Sequence, residues 1–318
     1  MRLIGVATVR NEADIFEAFA RSNLGFLDEL HVVLHRCRDG TREIAAALRN
    51  EGLKLRLFED EREGFVQEAV MNNLVRGAFA DSGADFVFPI DADEILQAAD
   101  RGAIEAALAA LPPRMAGLMR WQTYVCTPGD DAAEACPTRR ITHRYDLGAG
   151  WDAEAPARVD AEYCKVVVGR WFHQDKSAVI YVGNHAVFHD GKLAMVPCPA
   201  IEVAHFPVRS LDQLGQKAAL GWLACVAAER DPEAIGIATH WQRLYEKLRD
   251  NGALAWEDAA EFVSVYVPPE HRASALVPDP VADRAGPMLH GALQRPRNLT
   301  SALLELAERL ARERPRPI

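Results

Sequence analysis

The segment Phe88-Pro89-Ile90-Asp91-Ala92-Asp93-Glu94 sets three carboxylates directly after an apolar run. In extended chain, residues i and i+2 project to one side about 6–7 Å apart, so Asp91 and Asp93 face the same way. Two acids that close repel unless a cation or a proton lies between them. Hard oxygen ligands at this spacing suit Mg2+ or Mn2+, either of which can hold a substrate diphosphate at the same time. The plainer reading is an acidic strand-to-helix turn with an N-capping Asp. The apolar strand leading in favours the metal, because ligands of parallel α/β sheets gather beyond the carboxyl ends of the strands.

Those acids need a framework, and the first hundred residues supply a βαβ alternation. Leu3–Val9 reads as a buried strand, Asp14–Leu24 as a helix, and His31–Leu34 as a second strand ended by the turn Arg38-Asp39-Gly40-Thr41. Thr41 is the expected N-cap of a helix to Arg49. Lys54–Phe58 is a strand, Phe65–Ala80 a long helix and Asp85–Ile90 the apolar strand that carries the acids. Strands separated by helices of this length imply a mostly parallel sheet flanked by helices, an α/β fold. From Met115 to Pro207 the pattern turns to short strands, of which Leu118–Tyr124, Lys165–Val168 and Ala178–Tyr181 stand out, and to loops. Helical patterns follow at Leu211–Glu229, Trp241–Asp250 and Leu299–Glu313, with a proline-punctuated loop expected over Val267–Pro287. The expected division is a catalytic domain over 1–210, with a nucleotide-binding half (1–114) and an acceptor-side half (115–210), then a helical C-terminal region over 211–318.

Composition narrows the function classes. The chain has 318 residues, 49% hydrophobic and 26% charged, which suits a globular protein with a sizeable core. A formal net charge of −10 argues against sequence-independent nucleic-acid binding, which needs many cations. The six cysteines form no CxxC pair and read as reduced thiols. No apolar stretch is long enough to span a membrane. The expected location is cytoplasmic, with a peripheral position at the inner membrane face as the variant.

Four segments together resemble the inverting, nucleotide-sugar-dependent glycosyltransferases of the GT-A fold, in the large family 2 group or a close relative. They are Thr8-Val9-Arg10-Asn11-Glu12 after the first strand, His31-Val32-Val33-Leu34 with Cys37-Arg38-Asp39-Gly40-Thr41, the DxD segment Ala84–Glu94, and His205-Phe206-Pro207-Val208-Arg209-Ser210. The resemblance covers about the first 210 residues. It implies that Arg10, Asn11 and Glu12 line the nucleotide pocket, that Asp39 sits near base or ribose, and that Gln67 or Asn72 faces the donor. Asp93 would bind Mn2+ or Mg2+ directly and Asp91 the ribose or the metal through water. His205 would complete the metal site, Arg209 would meet a phosphate, and Glu94 would hold the loop. For each the bland alternative is a turn, capping or buried structural residue.

An inverting transfer also needs a base for the acceptor hydroxyl. The resemblance points to the Gly183-Asn184-His185 turn, so His185 is the first candidate and Asp190 the second, with Asp152 and Glu154 behind them. Family bases are usually acidic, so a histidine is a departure. A second departure is Leu34, where relatives carry an acid that meets the base; His35 beside it reads as an exposed strand end. The implied partners are a nucleoside-diphosphate sugar, UDP-linked as the first choice, and a glycan or lipid-linked acceptor, with polysaccharide synthesis as the family-level setting. The apolar faces of the C-terminal helices suit core packing or a homodimer. Two other functions stay open: a sugar nucleotidyltransferase, disfavoured because no glycine-rich loop follows Val6, and a GT-A-like binding or scaffold module.

Overall fold

The computed structural model describes residues 1–62, 67–148, 161–227 and 239–294, together with Leu303 and Ala307. Asp152, Glu154 and most of the expected helix Leu299–Glu313 lie outside the described residues.

Strand β1 (Leu3–Val9) is apolar on both faces, and its side chains divide with the two-residue period of a pleated strand. Leu3, Ala7 and Val9 join one core cluster, while Ile4 and Val6 join the other. Helix α1 (Phe16–Leu24) packs Phe16, Phe19 and Ala20 into the first cluster, as does α2 (Thr41–Asn50) with Ile44, Ala45 and Leu48. Between them runs β2 (Glu29–His35), buried throughout, and beyond them β3 (Leu55–Asp60). The opposite face is covered by α3 (Gln67–Ser82), which buries Met71, Val75, Ala78 and Phe79. Gly5 is required by close approach: a Cβ there would lie 2.4 Å from Leu30 Cδ2 and 2.7 Å from Leu27 Cδ1.

After β4 (Phe86–Pro89) the chain does not enter a helix. It turns through Asp91-Ala92-Asp93 into a second strand, β5 (Glu94–Gln97), so Glu94 opens a strand. Helix α4 (Arg101–Ala109) follows, capped by Asp100, which accepts the Ala103 amide at 2.8 Å. Then come β6 (Ala116–Thr123), the one-turn helix α5 (Pro137–Arg140), a short β7 (His143–Tyr145), β8 (Cys164–Gly169), the one-turn helix α6 (Trp171–Gln174), the small strands β9 (Val179–Ile180), β10 (Val187–His189) and β11 (Lys192–Leu193), and a long β12 (Met195–His205).

The main sheet has the order β3-β2-β1-β4-β8-β6-β12-β5. β1 runs parallel to β2 and β4, β2 to β3, and β6 to β12; β8 is antiparallel to both neighbours and β5 to β12. The expected α/β architecture with a mostly parallel, helix-flanked sheet is present. Because β8 is reversed, its first residues lie at the edge where β4 and β6 end, and this sets the site.

Several local expectations change. Gly40, not Thr41, caps α2; the Thr41 hydroxyl instead donates to Asp39 Oδ1 and accepts the Glu12 amide. The loop expected over Val267–Pro287 contains the strand Leu276–Pro278, paired with β7. The eleven residues of β12 have no counterpart among the expected strands; its register shifts between Pro197 and Glu202, where Pro197 and Pro199 lack amide donors. C-terminal to β12, helix α7 (Leu211–Ala227) and the helices Thr239–Asn251 and Trp256–Ser264 place Leu214, Ala218, Leu244, Phe262 and Val263 in the same cluster as Leu3.

Candidate active site

The acids of the β4–β5 turn meet the ends of β6, β8 and β12. Register pairs His205 with Glu94 across β12–β5 and with Thr123 across β12–β6, and the Phe206 amide donates to the Asp93 carbonyl at 2.9 Å. Asp93, Glu94 and His205 are all buried, and their ligand atoms lie within 4.8 Å of one another. His205 Nε2 is 4.0 Å from Asp93 Oδ1, and its Nδ1 is buried with no hydrogen-bond partner among the described residues.

Trp121, on β6, organises this cluster. Its indole stacks on His205 (centroids 4.3 Å apart), meets His185 edge-on at 4.9 Å and Tyr266 at 5.8 Å, and donates from Nε1 to Glu94 Oε1 at 2.8 Å. Lys165, from β8, lies 5.2 Å from the same ring. Its ammonium contacts Asp91 Oδ2 at 2.5 Å, Glu94 Oε1 at 3.2 Å and the Gly183 carbonyl at 2.6 Å. Glu94 Oε2 accepts the Asp91 amide at 2.9 Å. On the other side, Lys217 of α7 donates to Asp93 Oδ2 at 2.8 Å, and Arg209 Nη1 stands 3.8 Å from the same oxygen.

Burial opposes charge here, and the partners decide which group stays ionised. Burial alone would raise the Asp93 carboxyl, but Lys217, then His205 and Arg209, hold it well below the usual range. Glu94 goes the other way: burial lifts it to about 8 despite Lys165. Burial likewise lifts Glu12 to about 7 against Arg209 and Lys217. Both histidines are pushed down to about 3 by burial. At neutral pH His205 is therefore an uncharged imidazole beside an ionised Asp93, a ligand pair rather than a salt bridge.

An ionised Asp93, a neutral imidazole with one buried ring nitrogen unpartnered among the described residues, and Glu94, which would give up its proton on binding, are a donor set that fits a divalent ion of the Mn2+ type. Asp91, expected among the ligands, stands outside this trio, with its Oδ2 on Lys165. Glu94, expected only as a support, lies within it.

The remaining expected site residues divide. Glu12 reaches the cluster through Arg209, whose Nη2 donates to Glu12 Oε2 and, at 3.0 Å, to Asp14 Oδ1. Arg209 Nε donates to Asp14 at 2.7 Å and Nη1 to the Phe206 carbonyl at 3.2 Å. Its guanidinium is thus an internal brace between the exit of β1 and the end of β12. Asn11 adopts a left-handed φ of 57° and its Oδ1 accepts the Arg38 amide at 2.8 Å. Arg10 follows β1 at the same edge and acts electrostatically on His35. Asp39 caps the Thr41 amide at 3.0 Å and the Ala13 amide at 3.0 Å, a turn-building role. Asn72 exchanges two hydrogen bonds with the backbone of Ile180, which fixes α3 to β9 rather than facing a donor. Gln67 is the first residue of α3, and its side chain lies outside the described set. His35 is buried, not exposed, and bonds the Arg62 carbonyl at 3.0 Å.

Of the two expected bases, His185 sits in the cluster: Nδ1 donates to the Cys164 carbonyl at 2.7 Å, leaving the lone pair on Nε2. The ring rests on Gly183 (φ 78°), where a Cβ would fall 2.4 Å from His185 Cδ2. Asp190 lies in the turn between β10 and β11, exposed, 3.6 Å from His189. Its described partner belongs to that hairpin and not to the acid cluster. Trp121, Lys165 and Lys217 carry no motif signal in the sequence. Each reaches the site only through the sheet order or through α7.

No protein-family model and no curated protein matches the chain. Solved structures do overlap it. Residues 1–349 of TarS from S. aureus are 13% identical, with 84% of this chain and 81% of that one covered at a TM-score of 0.40. A mannosyltransferase from Pyrobaculum calidifontis, in complex with GDP-Man and Mn2+, is 18% identical over 99% and 81%, at 0.37. Glucosyl-3-phosphoglycerate synthase from Mycobacterium tuberculosis, in complex with Mg2+ and UDP, is 15% identical over 72% and 80%, at 0.38. Overlaps of this size and identity say nothing of chemistry, which has to come from the chain's own residues. The mostly parallel, helix-flanked sheet is consistent with a GT-A-like fold. Among the described residues, no helix is long and apolar enough to cross a membrane.

Proposed function

We propose that this protein is a glycosyltransferase that moves a sugar from a nucleoside-diphosphate sugar to an acceptor hydroxyl, with inversion, at the β4–β5 turn. The observation that carries this reading is the convergence of Asp91, Asp93 and Glu94 with His205 and three cations at the carboxyl edge of the sheet. A binding or scaffold module has no need to bury that much charge in one place, where each unpaired ion costs on the order of several kcal/mol in lost hydration.

In this reading Asp93, Glu94 and His205 would hold Mn2+ or Mg2+, which when bound supplies positive charge for the departing diphosphate. Arg10, Asn11 and Glu12 flank the nucleotide, and Asp91, held by Lys165, lies on the ribose side. Trp121 fixes the imidazole of His205 and the carboxyl of Glu94 before substrate arrives, so that no reorganisation is required at the moment of transfer. His185 is the base we retain. Burial keeps it neutral with its lone pair on Nε2, the form that can accept the hydroxyl proton, and the negative diphosphate raises its proton affinity. The acceptor is a glycan or lipid-linked sugar.

The test is donor hydrolysis, which needs no acceptor. UDP-, GDP-, ADP-, CDP- and dTDP-sugars are incubated with protein and Mn2+, and released nucleoside diphosphate is read by chromatography. Slow release from one member supports the reading; release from none, or equal release by Asp93→Ala with an intact fold, refutes it.

A further inference from the structure

We infer that Lys217 is a diphosphate-binding residue that guards Asp93 until a divalent ion displaces it, an assignment that rests on the donor-site reading above. Three cations face the acidic turn, and they differ in freedom. The Lys165 side chain is 0% exposed, and its ammonium, with three donors to give, has three oxygens around it. Arg209 is 1% exposed and its guanidinium is committed to Glu12, Asp14 and the Phe206 carbonyl. Lys217 alone among these three has solvent access, with a side chain 25% exposed.

Lys217 also occupies the decisive carboxylate. Asp93 Oδ2 accepts its ammonium at 2.8 Å, while Oδ1 faces His205. An ion seated between Asp93, Glu94 and His205 would neutralise the charge that now holds Lys217. A compact ammonium on a flexible four-carbon stem can then swing, which the forked and fully bonded Arg209 cannot. The nearest new anion in this reading is the donor diphosphate, so release from Asp93 and capture of phosphate become one exchange. Lys217 comes from α7, outside the strands and loops that carry the acids, so this helix contributes directly to the donor site.

The exchange makes two opposite predictions for Lys217→Met in the full-length protein. Without nucleotide, Mn2+ followed by the free-ion electron paramagnetic resonance signal should bind about tenfold more tightly, since a competing charge-assisted contact is gone. At saturating Mn2+, the best-bound member of a UDP, GDP, ADP, CDP and dTDP panel, measured by calorimetry, should bind about tenfold more weakly. Lys217→Arg should recover part of the nucleotide affinity. Lys217→Gln takes the place of the methionine variant if that one does not fold. Mn2+ affinity that is unchanged or reduced, or nucleotide affinity that is unchanged, overturns the assignment while leaving the donor site intact. Wild-type protein that binds neither Mn2+ nor any nucleotide overturns the donor-site reading, and this assignment with it.

Discussion

Trp121 Nε1 donates to Glu94 Oε1 at 2.8 Å while the same indole stacks on His205, so a single side chain from β6 orients two of the three groups suited to a metal. Trp121→Phe keeps most of the stack and deletes the donor. It should lower stability by about 0.5–1.5 kcal/mol, the net contribution of one hydrogen bond, since Glu94 Oε1 keeps Lys165 at 3.2 Å, read from urea unfolding. Trp121→Ala, which also opens a cavity, should cost about 3–5 kcal/mol.

Asp93→Asn retains shape but removes the charge that Lys217 and Arg209 share. Donor hydrolysis should fall about a hundredfold or more, as expected for a lost electrostatic contact at a reacting phosphate. The melting temperature should fall as well, because the two cations keep their burial and lose their counter-charge. Unchanged hydrolysis would remove Asp93 from the site.

Gly183 has φ 78° and lies against the His185 ring. Gly183→Ala should therefore displace the imidazole and destabilise the fold by about 1–3 kcal/mol, through the left-handed backbone and the clash together. Turnover should drop more than nucleotide binding, which a kcat against KM comparison would separate.

His240 offers a pH test away from the acids. It packs against Trp241, Phe262 and Tyr266, and burial, with a smaller push from Lys217, lowers it to about 4. In the unfolded chain it takes a proton below about 6.5. The unfolded state thus binds more protons between those values, and the folded state loses stability as pH falls from 6.5 toward 4. His240→Phe removes that loss. Relative to wild type the variant should gain stability at pH 5 compared with pH 7, measured as the shift in urea midpoint; a parallel pH dependence would contradict the burial of a neutral imidazole.

The N-terminal half of the sheet was legible in the sequence because its strands are buried runs with turn residues between them. β1, β2 and β4 lie within a few residues of their expected bounds. The acidic turn stood out because it closes an apolar strand, whereas His205 was picked out only by the resemblance of His205–Ser210 to a family segment. Lys165 and Trp121 were not legible, because β4, β8, β6 and β12 are neighbours in space and far apart in sequence. β12 was hidden by Pro197 and Pro199, which read as loop and sit at its irregularity. Arg209 was visible as a motif residue but not as a brace, since Asp14 and Glu12 come to it from the opposite end of the domain.

If a nucleoside diphosphate and a divalent ion share the carboxyl edge of β4, each should strengthen the binding of the other. Calorimetric titration of the five nucleoside diphosphates, with and without Mn2+, into wild type and Asp93→Asn tests it most directly. One nucleotide should bind wild type, more tightly with Mn2+, and the variant should lose this enhancement. Binding of none, or an enhancement that survives in Asp93→Asn, would contradict it.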